Sequence, residues 1–240
     1  MKVLIISDVH LKPMMFDRAE EIMNEYPVDR AVCLMDIADD WEQQWNLDLY
    51  VETYNRAINF AKAHPDSLWC YSNHDLSYVW QEKESGYSAI APKTVIERLH
   101  ALQECLPDKK QLTYIHRIDK VLFSHGGVSN TFVKDNVEHA DDLSVDEVLE
   151  QINHFGRGKM WNDISPIWLW PQGSFRHLYK EDEYFQVVGH TPMKEITREK
   201  NFLSCDVFST NRHRERMSVW EYTLLDTETW EWEGIPFDVK

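Results

Sequence analysis

Five short apolar runs, each ending abruptly in polar residues, constrain the fold of this chain more than any other feature. The runs begin at Val3, Ala31, Leu68, Val121 and Phe185, and each has the length and composition of a buried strand. Segments with helical spacing lie between the first three runs. Because alternating strands and helices form parallel sheets with covered faces, the sequence predicts an α/β fold.

Two helices and a different C-terminal part can be predicted in more detail. One helix has an apolar face from Leu47 to Ala61 and ends at His64. A second begins after Ser144, which forms a capping box with Glu147. Three later segments predict strands joined by short turns, an antiparallel addition to the fold: 202–206, 218–225 and 229–233.

Length and charge limit the classes of function. We expect one domain over residues 1–240, with a cap-like connection at about 131–183. The net charge of −16 disfavours a nucleic-acid partner, because an acidic surface repels the phosphate backbone. The four cysteines are widely spaced, which indicates reduced thiols, and no apolar run is long enough for a signal peptide or a membrane span. We therefore expect a cytoplasmic protein that is not associated with a membrane.

Chemically active side chains follow each of the five runs. In chain order the clusters are Asp8-Val9-His10, Asp36 with Asp39, Asn73-His74-Asp75, His125-Gly126-Gly127 and Gly189-His190-Thr191-Pro192. The carboxyl edge of an α/β sheet is where ligands bind, so these side chains are expected to meet there. Carboxylates and imidazoles suit divalent ions of the manganese, iron and zinc class.

Two ions close together need a shared oxygen ligand, and a carboxylate such as Asp36 can supply it. The predicted ligands of the first ion are Asp8, His10 and Asp36. Those of the second are Asp36, Asn73, His125 and His190.

The order of these clusters resembles that of the calcineurin-like metallophosphoesterases. The family pattern DxH, GDxxD, GNH[DE], H and GHxH is matched in order from Lys2 to about Asp206, except that the last element lacks its second histidine. This variant resembles the branch with Ser/Thr phosphoprotein phosphatases and symmetrical diadenosine tetraphosphate hydrolases. The resemblance implies a four-layer α/β/β/α sandwich with a dinuclear metal site at the carboxyl ends of the strands. Manganese is the expected metal, with iron or zinc as alternatives.

The resemblance also implies a mechanism. A metal-bridging hydroxide would attack the phosphorus of a phosphate monoester carried by a protein or a small molecule. His74 is next to the ligand Asn73 but surplus to the metal set, so we expect it to protonate the leaving alkoxide as general acid. Asp39 would orient the imidazole of His74 and support its protonated form.

Three positions depart from the family pattern. Met35 and Ser72 replace glycines, which predicts locally different turns. Asp40 stands where the branch usually has an arginine that grips the substrate phosphate, so a bound phosphate would face added negative charge unless another guanidinium enters the site. Arg176 and Arg212 are the candidates. A solvated basic turn is the alternative interpretation of Arg212 and the arginines that follow it.

Other functions stay open at this point. A diadenosine polyphosphate hydrolase would need stacking aromatic residues and basic groups for four phosphates. A nuclease would need a basic surface, and a non-catalytic scaffold would keep the fold without its chemistry. Trp161, Trp168 and Trp170 are either packing residues beneath a long connection or the wall of a substrate cap.

Overall fold

The computed structural model describes residues 1–172 and 177–238. In chain order its strands are β1 (Lys2–Ile6), β2 (Arg30–Cys33), β3 (Leu68–Cys70), β4 (Leu112–Thr113), β5 (Ile115–Ile118), β6 (Val121–Ser124), β7 (Phe185–Val188), β8 (Thr197–Glu199), β9 (Phe202–Ser204), β10 (Glu221–Asp226) and β11 (Trp232–Pro236). Its helices are α1 (Met14–Glu25), α2 (Leu47–Ala63), α3 (Asn73–Trp80), α4 (Pro92–Cys105), α5 (Asn130–Asn136), α6 (Val145–Asn153) and α7 (Arg157–Met160). The five apolar runs all form strands: β1, β2, β3, β6 and β7.

The strands form two sheets. The first has the order β11-β10-β1-β2-β3-β4, in which β1 to β4 are parallel and β10 and β11 are antiparallel. The second has the order β5-β6-β7-β9-β8, in which β6, β7 and β9 are parallel and the two edge strands are antiparallel. The carboxyl ends of the parallel strands in each sheet therefore lie along one edge.

The antiparallel addition predicted for the C-terminal part is confirmed for β10 and β11 and is wrong for β9. Strand β9 pairs in parallel with β7 in the second sheet. Its antiparallel partner is β8, not β10. The strand predicted at 229–233 starts later, at Trp232, because a turn closed by Trp230 N–H and Asp226 O precedes it.

The predicted helix boundaries agree with local capping. The side chain of Asn46 accepts a hydrogen bond from Leu49 N at the start of α2, which ends at His64 as predicted. Ser144 and Glu147 form the predicted capping box at the start of α6. The paired side-chain and backbone bonds satisfy N–H groups that a helix start otherwise leaves without partners.

Helices cover the outer faces of the two packed sheets. One contiguous apolar cluster contains buried residues of both sheets, including Leu4, Phe123 and Val187, together with residues of α1, α2 and α4. A second cluster joins Leu122 of β6 to α5 and α6, which come from the predicted cap-like connection. The arrangement is the α/β/β/α sandwich expected from the sequence. Within the described ranges, no helix is long and apolar enough to cross a membrane.

Candidate metal centre

The six predicted metal ligands lie together where the strands end. Two groups of side chains each bring their ligand atoms within 4.8 Å of one another and share one carboxylate: Asp8 with His10 and Asp36, and Asp36 with His125 and His190. Asn73 completes the second group, since its Oδ1 lies 3.1 Å from Nε2 of His125. Asp36 is therefore placed as a bridging ligand must be.

The loops after β1 and β2 hold the first group by running side by side. His10 N donates to Asp36 O at 2.6 Å, which continues the parallel pairing of the two strands beyond their ends. Both residues have a left-handed backbone, with φ of 42° for His10 and 46° for Asp36, and His190 has φ of 63°. Such conformations cost about 1–3 kcal/mol each in non-glycine residues and cluster at functional sites, where they aim side chains.

The two residues that replace glycines of the family pattern have different local structures. Met35 has a left-handed backbone, with φ of 63°, a conformation that glycine adopts without strain. The buried Met35 side chain joins the core between the sheets, and the surrounding structure sustains the strain. Ser72 instead caps α3, because its side chain accepts a hydrogen bond from Asp75 N. Asn73 and His74 are consequently the first residues of a helix rather than part of a turn.

Two of the histidines are set to offer a lone pair to a metal. Nδ1 of His10 lies 3.0 Å from Asp39 O, and Nδ1 of His125 lies 2.9 Å from Leu34 O. A carbonyl oxygen only accepts, so each Nδ1 carries the proton and each Nε2 faces the site. A hydrogen bond from the other ring nitrogen to a backbone carbonyl is the usual support of a metal-binding histidine.

His190 is arranged differently. Its Nδ1 faces the site, 3.2 Å from Nε2 of His125, while its Nε2 accepts a hydrogen bond from the indole N–H of Trp170 at 2.7 Å. Burial and the neighbouring His125 lower the pKa of His190 to about 3, so the ring is neutral at pH 7. In a neutral ring whose Nε2 accepts, the proton is on Nδ1.

The Asp8 carboxylate lies against the loop that carries His190, next to a residue, Gly189, that must be a glycine. His190 N donates to Asp8 Oδ1 at 2.7 Å, and Ser7 Oγ donates to Oδ2 at 2.7 Å. A Cβ atom on Gly189 would stand 2.1 Å from Asp8 Oδ2. The absent side chain of Gly189 thus lets the carboxylate reach the second loop.

Burial and mutual repulsion set the electrostatics of the cluster. Burial raises the pKa of Asp8, and Asp36 adds to this effect although His125 opposes it. Burial would also raise the pKa of Asp36, but His125, His74 and His10 outweigh it and hold that pKa well below its usual value. Buried carboxylates with nitrogen and amide-oxygen donors around a shared member are a donor set that fits two divalent cations.

His74 and Asp39 form a second functional unit beside this cluster. Nδ1 of His74 lies 3.0 Å from Asp39 Oδ2, and the other oxygen of Asp39 accepts hydrogen bonds from Tyr50 OH at 2.7 Å and Tyr78 OH at 2.5 Å. Burial would lower the pKa of His74, but Asp36 and Asp39 outweigh it and raise the pKa to about 9. His74 can therefore be a proton donor, which is the arrangement predicted for an acid and its orienting carboxylate.

The sequence matches the model of the calcineurin-like phosphoesterase family over residues 1–219. The chain belongs to this family. No curated protein matches the sequence significantly.

Among solved structures, the fold of this phosphoesterase is similar to that of the cold-active protein-tyrosine phosphatase of a psychrophilic Shewanella species. That comparison has a TM-score of 0.56 and 17% identity, and covers 98% of this chain and 80% of that chain. A protein of Thermus thermophilus is also similar, with a TM-score of 0.51 and 10% identity over 99% of both chains. At these identities the likeness concerns the fold alone.

A cleft of about 590 Å³ opens onto the candidate metal centre of the phosphoesterase. His10, Asp36, Asn73 and His190 line it together with His74. Its other lining residues include Trp41, Glu84, Trp168, Trp170, Arg212 and Met217. Trp168 and Trp170 thus form a wall of the cleft, whereas Trp161 packs edge to face against Trp80 and Trp168.

Asp40, which stands at the position of the missing arginine, is neutralised by a lysine. Nζ of Lys12 lies 3.6 Å from Asp40 Oδ2, and Thr210 Oγ1 donates to Asp40 Oδ1 at 3.0 Å. Lys12 is only 4% exposed; burial lowers the pKa of its ammonium, and Asp40 and Asp206 oppose that effect. Lys12 therefore offsets part of the negative charge that Asp40 brings to this side of the cleft. Sequence reasoning missed Lys12, although it follows the DxH cluster by two positions.

Of the two candidate phosphate-binding arginines, the structure describes only one. Arg176 lies outside the described residues. Arg212 lines the cleft, and its Nε contacts only His213 Nε2, at 3.3 Å, among the side chains described. Arg216 pairs instead with Asp238 and stacks on Trp220, so it supports the C-terminal segment. A role for Arg212 in substrate binding stays a prediction.

Proposed function

We propose that this chain is a phosphate monoesterase that depends on two divalent metal ions, with manganese as the expected metal. The observation that carries the proposal is the sharing of Asp36 by two ligand groups directly beside the His74–Asp39 pair. A phosphoryl group above the shared carboxylate would have metal ligands beneath it and a proton donor next to it. This combination fits hydrolysis better than simple binding.

Asp8, His10 and Asp36 would hold one ion, and Asp36, Asn73, His125 and His190 would hold the other. Ions bound there would lower the pKa of a water molecule and neutralise charge on the phosphoryl group during its transfer. The chain itself would supply orientation and protons around this centre.

His74 would act as the general acid. Its Nδ1 proton is donated to Asp39, which leaves Nε2 to deliver a proton to the leaving oxygen. Asp39 is 1% exposed and is fixed by two tyrosine hydroxyls, so it holds the ring in one orientation. The backbone N–H of His74 also donates to Asp36 Oδ1 at 3.3 Å, which ties the acid to the shared carboxylate.

The cleft favours a phosphate monoester over a polyphosphate. Four linked phosphates need several cations, whereas the lining residues described include one arginine, Arg212, and no lysine. A single terminal phosphoryl group needs fewer, because the metal ions would carry most of its charge. A diadenosine polyphosphate is therefore a poorer fit to these residues, and a scaffold role would leave the His74–Asp39 pair without a use.

The test is the effect of His74→Asn on substrates with different leaving groups. With Mn²⁺, turnover of an alkyl phosphate is expected to fall by roughly 10²–10⁴, the usual contribution of a general acid. Turnover of p-nitrophenyl phosphate should fall much less, since that leaving group needs little protonation. Bound manganese, measured after dialysis, should stay unchanged.

Equal losses for both substrates would show that His74 is not the acid. Absence of turnover in the metal-loaded wild-type protein, on alkyl, p-nitrophenyl and peptide phosphates alike, would contradict the proposed function as a whole.

A further inference from the structure

Glu84 is the lining carboxylate of the cleft that has neither a place among the metal ligands nor a salt bridge among the residues described. Asp36 belongs to the metal ligands, Asp39 faces His74, and Asp40 pairs with Lys12. Within residues 1–172 and 177–238, no ion pair forms at the side chain of Glu84, whose carboxylate interacts with the neighbouring backbone N–H of Ser85. The segment around it lies in the cleft together with Ser85 and Gly86.

The position of Glu84 relative to His74 defines which part of a substrate it would meet. Both residues line the same cleft, and the segment that carries Glu84 packs at Gly86 against Asp39, the hydrogen-bond partner of His74. His74 would protonate the oxygen of the leaving alcohol, so the body of that alcohol lies on the His74 side of the phosphorus. Glu84 would therefore face the leaving group rather than the transferred phosphoryl group.

The segment that carries Glu84 is held in place. A Cβ atom on Gly86, where φ is 78°, would be 3.4 Å from Cβ of Asp39, so the segment packs closely against the partner of His74. Ser88 N donates to Tyr78 OH at 2.8 Å, and Tyr78 in turn donates to Asp39. The carboxylate of Glu84 is thus presented from a fixed backbone.

Aromatic side chains of the same cleft add to this preference. Trp41 is 43% exposed and Trp170 is 55% exposed, and both line the cleft. Tryptophan faces attract cations, and a half-buried carboxylate gains stability from a positive neighbour. A second anionic group on the leaving alcohol would instead meet Glu84 as a like charge.

We propose that Glu84 selects phosphate monoesters whose leaving alcohol carries a positive charge, such as an amino alcohol or a phosphorylated residue flanked by basic side chains. This inference rests on the proposed phosphomonoesterase function. Arg212, which also has no carboxylate partner among the described residues, supplies the opposite charge for the phosphoryl end of such a substrate. The cleft then matches a substrate with an anionic end and a cationic end.

The experiment compares substrates that differ only in charge, with the Mn²⁺-loaded protein. Choline phosphate carries a quaternary ammonium, 3,3-dimethylbutyl phosphate has the same shape without the charge, and 2-carboxyethyl phosphate is anionic at that end. We expect kcat/KM to be roughly tenfold higher for choline phosphate than for its neutral isostere, the scale of one charge pair near a protein surface. Phosphoserine peptides flanked by arginine or by glutamate test the same preference in a protein substrate.

Variants then assign the preference to Glu84. Glu84→Gln should reduce the ratio between the cationic and neutral substrates to threefold or less. Glu84→Lys should invert the preference toward 2-carboxyethyl phosphate. Glu52→Gln, the same change at an exposed position of α2 outside the cleft, should leave the ratio unaltered.

The outcomes separate the inference from the proposed function. Turnover of the neutral and cationic substrates at equal rates would overturn the inference and leave the phosphomonoesterase function standing. A preference that persists in Glu84→Gln would overturn the role of Glu84. No turnover of any phosphate monoester would contradict the proposed function first. A charge preference lost in Glu84→Gln supports the inference, and the relative rates of small and peptide substrates then identify the source of the cation.

Discussion

Two buried histidines on neighbouring strands of the second sheet have opposite electrostatic properties. His125 directly follows β6, and His116 lies within β5, which pairs with β6. Burial lowers the pKa of both, but Asp36 and Asp8 outweigh it at His125 and raise that pKa to about 9. At His116 burial prevails and the pKa falls to about 4.

The difference shows that neighbouring charges, and not burial alone, set the pKa of a buried histidine. His116 uses its Nε2 proton to donate to Trp69 O at 3.0 Å, so this ring links two sheets. His125 donates from Nδ1 to Leu34 O and presents Nε2 to carboxylates. A candidate metal-binding histidine is therefore indicated by an acidic partner on one side of the ring and a carbonyl on the other.

Replacing each histidine by phenylalanine gives the largest expected contrast. His125→Phe should weaken Mn²⁺ binding by on the order of 10³-fold, beyond the 10–100-fold typical of groups that only support a ligand. His116→Phe, of the same size and at a similarly buried position, should keep its metal. The measurement is bound manganese after dialysis, together with turnover. Equal metal loss in the two variants would remove the distinction between the histidines.

Lys12 extends the comparison, since it is a buried cation that has the carboxylate partner His116 lacks. Asp40→Asn should destabilise the protein by about 3 kcal/mol, because it leaves the ammonium of Lys12 buried without its counter-charge. Asp40→Arg should be at least as destabilising, because it places a second cation beside Lys12. The family pattern alone would instead suggest that an arginine here improves phosphate binding. Urea unfolding of the metal-free protein measures both.

A double variant is the control for this pair. Lys12→Met together with Asp40→Asn should recover most of the lost stability, because the buried ammonium that Asp40 stabilises is then absent. If the double variant is as unstable as Asp40→Asn alone, the contact between Lys12 and Asp40 is not the cause.

His116 should make the protein sensitive to mild acid. Its folded-state pKa of about 4 lies below the unfolded value of 6.5, so the unfolded chain binds more protons between these pH values. Stability contributed by neutral His116 is present above pH 6.5 and is lost as pH falls, by about 2 kcal/mol at pH 5. The measurement is the free energy of unfolding at pH 7 and pH 5.

His116→Gln isolates this effect from the titration of carboxylates. The amide can still donate to Trp69 O but does not titrate, so the variant should lose about 2 kcal/mol less than wild type over the same interval. An identical pH dependence in both proteins would mean that His116 is not buried in its neutral form.

The sequence predicted the chemically active edge of the molecule more fully than the rest of the fold. Apolar runs that stop at polar residues marked five strand ends, and their order led to the six side chains that the structure brings together. The short strands β4, β5 and β8 were not predicted, because each contains polar residues and none is a continuous apolar run. The sheet that β9 joins was mistaken because a pattern of alternation does not specify a partner strand.

Contacts between distant segments could not be predicted where no recognised motif links them. Lys12 meets Asp40 and lies near Asp206, three positions that no local pattern links. The left-handed backbone at Met35 was also unpredictable, since methionine normally avoids it and only the surrounding structure sustains it. The N-cap at Ser72 did have a signal, a serine three residues before an acidic residue, which marks a helix start.

Trp170 provides the smallest and most specific test of the histidine comparison. Unlike His125, His190 accepts a hydrogen bond at the nitrogen that faces away from the site, which places its proton on the nitrogen that faces the other ligands. A metal must displace that proton, so the indole stabilises the ring form that opposes binding. Trp170→Phe should therefore tighten Mn²⁺ binding by about fivefold, or 1 kcal/mol, the usual net value of one hydrogen bond.

Calorimetric titration of the metal-free protein measures this change. Trp168→Phe is the matched control, because Trp168 lines the same cleft but has no hydrogen bond to a histidine among the contacts described. Weaker binding in Trp170→Phe would show instead that the indole supports His190 as a ligand.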